Sequence, residues 1–429
     1  MAAPVIPKGR LIIIGIILLV IVLGVVIYIF GARNPGDRPE TVELNFWGVF
    51  DRSDVINQIA SGIPGFEVSY REFDPQTYEA QLIDALAAGR GPDVFMIHSS
   101  WLPKHFNKLA PVSELQLSLE TFRNLFPTVV EQDFAPDSVI YALPLYLDTL
   151  ALFYNRDVFD SEAVAAPPKT WLEFQNLVPQ LRKLDASGKL IRAAAAIGGS
   201  NRNINRATDV LAALMLQSGV KMVSADGLSA DFARSGGLET LSFYTKFANP
   251  ASEFFTWNED LPNSVDAFAQ GTAAMMINYA HQIPVLKAKN PFLNFRLAPL
   301  PKPSGAQLDL NYANYWGLAV SNSSLKWDYA WNFALSFTAD PTVVQNYIQA
   351  TNRLPALKSL IDQKRNDPEF GVFAKAALSA RSWPQVDNVQ VERIFSKMIE
   401  DVVSGRAPAG RAIKEAEDAI SELMAQRRS

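Results

Sequence analysis

From Thr41 onward the chain reads as short apolar strands alternating with amphipathic helices. TVELNFWGV places Val42, Leu44 and Phe46 on one face, and FEVSYREF repeats the period of two with Phe66, Val68 and Tyr70, so both predict strands. Between them, DRSDVINQIASG sets Val55, Ile56 and Ile59 at helical spacing behind Asp51 or Ser53 as N-cap. DPQTYEAQLIDALAAG then carries Tyr78, Leu82 and Leu86 four apart and closes at Gly89. PDVFMI follows, a continuous apolar run suited to a strand covered on both faces. This alternation predicts right-handed crossovers and a mainly parallel sheet. Ligands of such sheets bind beyond the carboxyl ends of the strands. That rule singles out Trp47 to Asp51, Asp74, and the run His98, Ser99, Ser100 and Trp101.

The middle of the chain keeps the same grammar. Residues 141–160 form an extended apolar segment broken by Tyr146, Asp148 and Thr149, long enough to leave one sheet and enter another. PPKTWLEFQNLVPQLRKL has Thr170 as N-cap, Glu173 three residues on, and Phe174, Leu177 and Leu181 along one face, which is a capping box opening an amphipathic helix. IGGSNRNINRATDVLAALMLQSG is a glycine-containing loop feeding a helix, and its N–H groups give a weak anion-binding signal. In NSVDAFAQGTAAMMINYAH, Val265 and Phe268 lie on a helix face and Gly271 takes the left-handed C′ position. Ala273 to Ile277 make a short buried strand, so Asn278 and Tyr279 leave it at the carboxyl end. NYWGLAVS predicts a strand that starts at Tyr315 and Trp316. In KWDYAWNFALSFTAD, Trp327, Trp331 and Leu335 are four apart, as core residues of a helix. Two helices separated by SGRAPAG close the chain from Asn388 to Arg428.

The amino terminus breaks this pattern. Leu11 to Phe30 is a run of twenty apolar residues without a charge, enough for a helix to cross the hydrocarbon of a bilayer. Lys8 and Arg10 precede it, placing residues 1–10 in the cytoplasm and the rest outside. The apolar run is longer than a cleaved signal normally has, so it predicts an uncleaved single-pass anchor, with residues 31–40 as a tether. With 48% hydrophobic residues in 429, the chain can bury a large core and should divide into two lobes. A net charge of -5 argues against a nucleic-acid partner. Absence of cysteine excludes disulfides, thiolate metal sites and a cysteine nucleophile, and three histidines leave little material for a metal centre, so no metal or cofactor is expected.

In order along the chain, these segments resemble the family-1 extracellular solute-binding proteins of bacterial ABC importers, the group that includes maltose-binding protein. FAQGTAAMMIN is similar to the family's F-x-x-G-K-A-A-M-x-x-N/D segment, with Thr272 in place of Lys, and YALPLYLDTLALFYNRDVF to its crossover. PDVFMI, PKTWLEF, LAPLPKP, the WGLAVS region and NRLPAL keep the family's order. The membrane run departs from it, standing where these proteins carry a cleaved signal or a lipidated cysteine.

The resemblance implies an α/β, two-lobed periplasmic-binding-protein-like fold with crossover hinge strands, preceded here by one transmembrane helix. Crossovers are expected near Leu147 to Tyr154, near Phe295 to Pro301 and after Ala339. Lobe one would be residues 41–147 plus 300–340, and lobe two residues 150–298 plus 341–429. It further implies a monomer that is not an enzyme and that captures a sugar or oligosaccharide for ABC permease subunits. Sugars present apolar C–H faces and rims of hydroxyls, so their sites need flat aromatics with carboxylates, amides and arginine. The candidates are Trp47, Asp51, His98, Asp148, Asn278, Tyr279, Tyr315 and Trp316, then Trp257, Arg353 and Trp383. Two other readings stay open: the same fold holding a polyamine, peptide or phosphate ester or acting as a sensor, and a tethered glycoside hydrolase.

Overall fold

The computed structural model describes residues 41–426. The expected cytoplasmic segment, membrane anchor and tether (1–40) lie outside the described residues. Among the described residues no helix is long and apolar enough to cross a membrane.

The alternating segments fold as their periodicity demands. Strands β1 (Val42–Val49), β2 (Phe66–Phe73) and β3 (Val94–His98) are parallel, with β1 central and the helices Ser53–Ser61 and Tyr78–Ala87 as crossovers. The short strands β4 (Leu109–Ala110) and β5 (Leu143–Pro144) complete this sheet only by way of a much later strand. The next strand, β6 (Asp148–Asn155), has eight residues and all are buried. A small hairpin, β7 (Lys183–Leu184) and β8 (Leu190–Arg192), stands apart. Strands β9 (Met275–Tyr279) and β10 (Phe295–Ala298) pair antiparallel with β6, and β11 (Asn311–Asn314) pairs with its first two residues. One residue later β12 (Trp316–Ser321) enters the first sheet, antiparallel to β3, β4 and β5. β13 (Ala380–Arg381) lies parallel to β11. The result is a mixed α/β fold with two apolar cores.

Three local expectations change in the folded chain. Neither Asp51 nor Ser53 caps the first helix; Arg52 stands at the cap without a side-chain bond, because Asp51 is engaged elsewhere. Asn278 and Tyr279 do not leave the strand: β9 runs to Tyr279 because β6 offers backbone partners that far, Ala151 opposite Asn278 and Leu150 opposite Tyr279. Trp327 is 43% exposed at the start of its helix, while Trp331, one turn on, is fully buried. The Thr170 cap holds, accepting from Glu173 N–H at 3.1 Å while Glu173 reaches back to Lys169 N–H at 2.7 Å. Gly271 has φ 75°, the left-handed geometry expected at a helix end.

The first core takes side chains from β1, β3 and β12 and from the helices Trp327–Ala339, Pro341–Thr351 and Lys358–Lys364. Val344, Tyr347, Leu357 and Ile361 therefore pack with the first core rather than joining residues 388–426 in the second. They do so because Pro341–Thr351 turns straight back against the preceding helix and the helix Ser53–Ser61. The second core gathers β6 and β9 with the helices Trp171–Leu181, Ala207–Gln217, Asn388–Val403 and Ala409–Gln426.

β12 fits inside the first sheet only because it carries a glycine. A Cβ on Gly317 would lie 2.4 Å from Leu143 O and 2.6 Å from Phe134 Cε2. Gly317→Ala is expected to cost on the order of 1–3 kcal/mol through overpacking, read as a lower urea midpoint at unchanged m-value.

Candidate functional site

The carboxyl ends of β1, β2 and β3, the amino end of β12 and the turn after β9 face one cavity of about 630 Å³ between the two cores. Its first-core wall is aromatic. Trp316 meets Trp101 edge-on at 5.0 Å, His98 at 5.3 Å and Phe50 at 5.7 Å between ring centroids. Phe50 is half-exposed and sits at φ 67°, where Asp51 N–H bonds Val49 O at 2.8 Å around it. A non-glycine residue held in a left-handed turn at a cavity mouth is strain kept where a ligand would use it.

His98 is held in one tautomer. Its Nδ1 accepts the Ser100 backbone N–H, so Nε2 carries the proton and donates to Asn314 Oδ1 at 3.2 Å. Burial lowers its pKa to about 4, and the ring is neutral at pH 7.

Charged residues around the cavity come mostly in satisfied groups. Asp51 is buried and accepts Arg353 Nη2 at 2.8 Å, Arg353 Nε at 3.2 Å and Tyr347 OH at 2.8 Å. The Arg353 guanidinium also lies 4.3 Å from the Tyr146 ring centre. Arg206, at φ 64° before the helix Ala207–Gln217, has Nε 3.2 Å from Asp209 Oδ2, which accepts Tyr279 OH at 2.8 Å. Glu79 is held by Lys104 and His105, which bring its pKa down to about 2 against the cost of its burial. Asp133 differs: burial pushes its carboxyl up to about 7, although Ser382 and Tyr315 both donate to it. Burial also raises Glu392, which accepts from Asn201 Nδ2 at 2.6 Å.

Of the saccharide-site candidates named from the sequence, His98, Trp316, Arg353 and Trp383 line the cavity. Asp51, Asp148, Asn278, Tyr279 and Tyr315 lie one layer behind it. Asp51 holds Arg353, Asn278 donates to Asn205 at 3.1 Å, Tyr279 holds Asp209, and Tyr315 holds Asp133. Asp148 Oδ1 accepts Thr149 and Ala280 N–H, and Oδ2 accepts His281 N–H and its Nδ1–H, placing His281 on the cavity. Trp257 is fully buried against the Gly198–Gly199 turn and donates to Asn203 at 3.0 Å. Trp47 packs against Phe73 at 4.6 Å with the rings tilted by 41°, beneath Arg71 and away from the cavity. The carboxyl-end rule also reached Phe50, Ser99, Ser100 and Trp101, which line the cavity, whereas Asp133, Arg206, Asp209 and Glu392 were not among the saccharide-site candidates. For Arg206 and Asp209 the available signal was the polar run NRNINRATD ahead of an apolar helix. Among the described residues, no group of three or more His, Asp and Glu is placed to hold a metal.

Residues 55–372 match the model of the family described as bacterial extracellular solute-binding protein. A binding protein of Brucella abortus is 22% identical over 369 residues, spanning 82% of this chain and 84% of its own. The maltotriose-binding protein of Pyrococcus abyssi is 22% identical over 316 residues, spanning 70% of this chain and 63% of its own. Among solved structures, the sugar-binding protein MalE of Xanthomonas citri superimposes with a TM-score of 0.75 at 21% identity, covering 90% of this chain and 98% of that one. An ABC transporter solute-binding protein of Thermotoga lettingae gives 0.71 at 22%, covering 90% and 100%. The family and these neighbours are substrate-binding proteins rather than enzymes, which removes the hydrolase reading.

The paired charges set two measurable outcomes. Arg353→Ala leaves Asp51 buried without its cation and is expected to cost about 3–5 kcal/mol in chemical denaturation. His98 has a folded pKa near 4 against an ordinary 6.5, so the unfolded state binds the extra proton between those values and His98 lowers stability as pH falls through that window. Asp133, raised to about 7, acts in the opposite direction there. His98→Gln should therefore make stability less acid-sensitive than wild type between about pH 6.5 and 4, by at most about 1.4 kcal/mol per pH unit.

Proposed function

Because the chain belongs to the bacterial extracellular solute-binding proteins, we propose that it captures a sugar or oligosaccharide in the cavity between its two cores and delivers it to the permease of an ABC importer. The observation that carries this reading is the aromatic wall of Trp316, Trp101 and Phe50 facing a polar wall with Arg206, Asp209 and Glu392. Flat rings match the C–H faces of a pyranose, and side chains with several donors and acceptors match its hydroxyls. The cavity's volume suits a small saccharide. The Pyrococcus abyssi relative is named for maltotriose and the Thermotoga lettingae structure holds α-D-tagatose, both consistent with a saccharide here.

The motion that admits the ligand is a hinge closure about β6, β10 and the segment joining β11 to β12, bringing Trp316 and Arg206 together across the solute. The apolar run 11–30 anchors the binding unit on the outer face of the membrane, so capture takes place beside the permease.

A ligand that binds only the folded state stabilises it by about 2.7 kcal/mol at a hundred times Kd. A saccharide panel should therefore contain at least one member that raises the melting temperature of the full-length protein by several degrees. Trp316→Ala should weaken that ligand roughly tenfold or more, as loss of a central aromatic contact does. Absence of any shift across monosaccharides and oligosaccharides, with a shift from a peptide, polyamine or phosphate ester, would overturn the saccharide reading.

A further inference from the structure

Resting on the saccharide reading, we infer that the preferred ligand is an amino saccharide, whose protonated amine is met by Asp133 or Glu392 and whose hydroxyl oxygens are met by Trp383 and Arg206.

The inference starts from the charges that remain after pairing. Six acidic or basic side chains line the cavity besides its histidines: Glu79, Asp133, Asp209, Glu392, Arg206 and Arg353. Arg353 is committed to Asp51, Arg206 to Asp209, and Glu79 to Lys104. Two carboxyls are left. Asp133 accepts only the hydroxyls of Ser382 and Tyr315, and Glu392 only the amide of Asn201; neither is ion-paired among the described residues. Closing the cavity over a neutral solute would strip water from both carboxyls and bring no further positive charge to them, leaving Glu392 with the nearby charge of Arg206 and Asp133 with its two hydroxyl donors. An isolated buried carboxylate is costly enough to take up a proton or a cation. Their raised pKa values reflect that cost in the structure without ligand.

Unpartnered polar atoms then narrow the cation. Trp383 is 5% exposed, lines the cavity, and its Nε1–H has no acceptor among the described residues. Arg206 Nε lies near Asp209 but out of line for a hydrogen bond, so it too lacks an acceptor. Asn388 Oδ1, one helical turn before Glu392, lacks a donor. The cavity wall therefore holds two unused donors and one unused neutral acceptor, all three covered from solvent, together with two carboxyls that have no ion pair among the described residues. A polyamine has no acceptor for Trp383 or Arg206 once it is protonated. A neutral sugar can answer the donors but brings no positive charge to the carboxyls. A saccharide bearing an ammonium and hydroxyls answers both demands.

The test is isothermal titration of the full-length protein with neutral trisaccharides (maltotriose, mannotriose, cellotriose), amine-bearing ones (the glucosamine dimer and trimer), and spermidine. An amine-bearing saccharide should bind roughly tenfold or more tighter than the best neutral one, a gap that a single charge-assisted contact can supply. Asp133→Asn and Glu392→Gln, each checked for a wild-type-like melting curve, should narrow that ratio by roughly fivefold or more. A neutral trisaccharide binding as tightly as the amine-bearing ones, or variants that keep the ratio, would overturn this inference and leave the saccharide reading standing. Spermidine binding with every saccharide silent would overturn both.

Discussion

Asp148 is buried at the head of β6, where the strand passes from β11 to β9 and β10. A carboxylate in that position is tolerable only if its oxygens are used, and here each takes two donors from Thr149, Ala280 and His281. The consequence is geometric. The start of β6 and the turn after β9 are bolted together, so the second sheet's register and the position of His281 follow from one side chain. Because β6 is wholly buried and paired along both edges, everything on the second-core wall of the cavity is referred to it.

The same logic repeats at the first core in a longer-range form. Asp51 ends the first crossover loop and Arg353 follows the helix Pro341–Thr351, and their pairing, shared with Tyr347 and Tyr146, brings chain segments 302 residues apart to one edge of the cavity. Such a pair adds little net stability over well-packed apolar groups but fixes one arrangement against others. Residues immediately behind the cavity (Asp51, Asn278, Tyr279, Tyr315) thus orient those that face it, and the half-exposed Phe50 ring owes its strained turn to the placement of Asp51 beside it.

How much of this was legible in the sequence depends on the range of the interaction. A period of two placed β1 and β2, a continuous apolar run placed β3, helical spacing placed the helix Tyr78–Ala87, and local chemistry placed the Thr170 cap and Gly271, because each rests on neighbours within a few residues. The carboxyl-end rule found Phe50, His98 and Trp101 for the same reason. What a side chain meets across the fold was not legible. Tyr315 and Trp316 are consecutive, yet one turns inward to Asp133 and the other faces the cavity, and nothing in NYWGLAVS says which. Asn278 and Tyr279 were read as cavity residues because their strand was ended two residues early; its true length is set by β6, more than 120 residues away. Asp133 and Glu392 stand on the helices Thr128–Phe134 and Asn388–Val403, and they come to one cavity only through the way the two cores face each other.

The placement of β12 has a consequence for how the molecule is made. The first sheet pairs His98 with Trp316 and closes its core with residues as late as Ala380, so the amino-terminal portion has no finished partner until most of the chain has been delivered. Contacts of such sequence separation close slowly. Emerging from the ribosome or from an export channel, β1 to β3 must wait as an incomplete sheet with the free edge of β3 exposed. A chain interrupted before residue 316 would keep that edge permanently, which makes it a substrate for chaperones and a seed for aggregation. The topology that lets two cores share one cavity thus also ties successful synthesis to delivery of nearly the whole polypeptide.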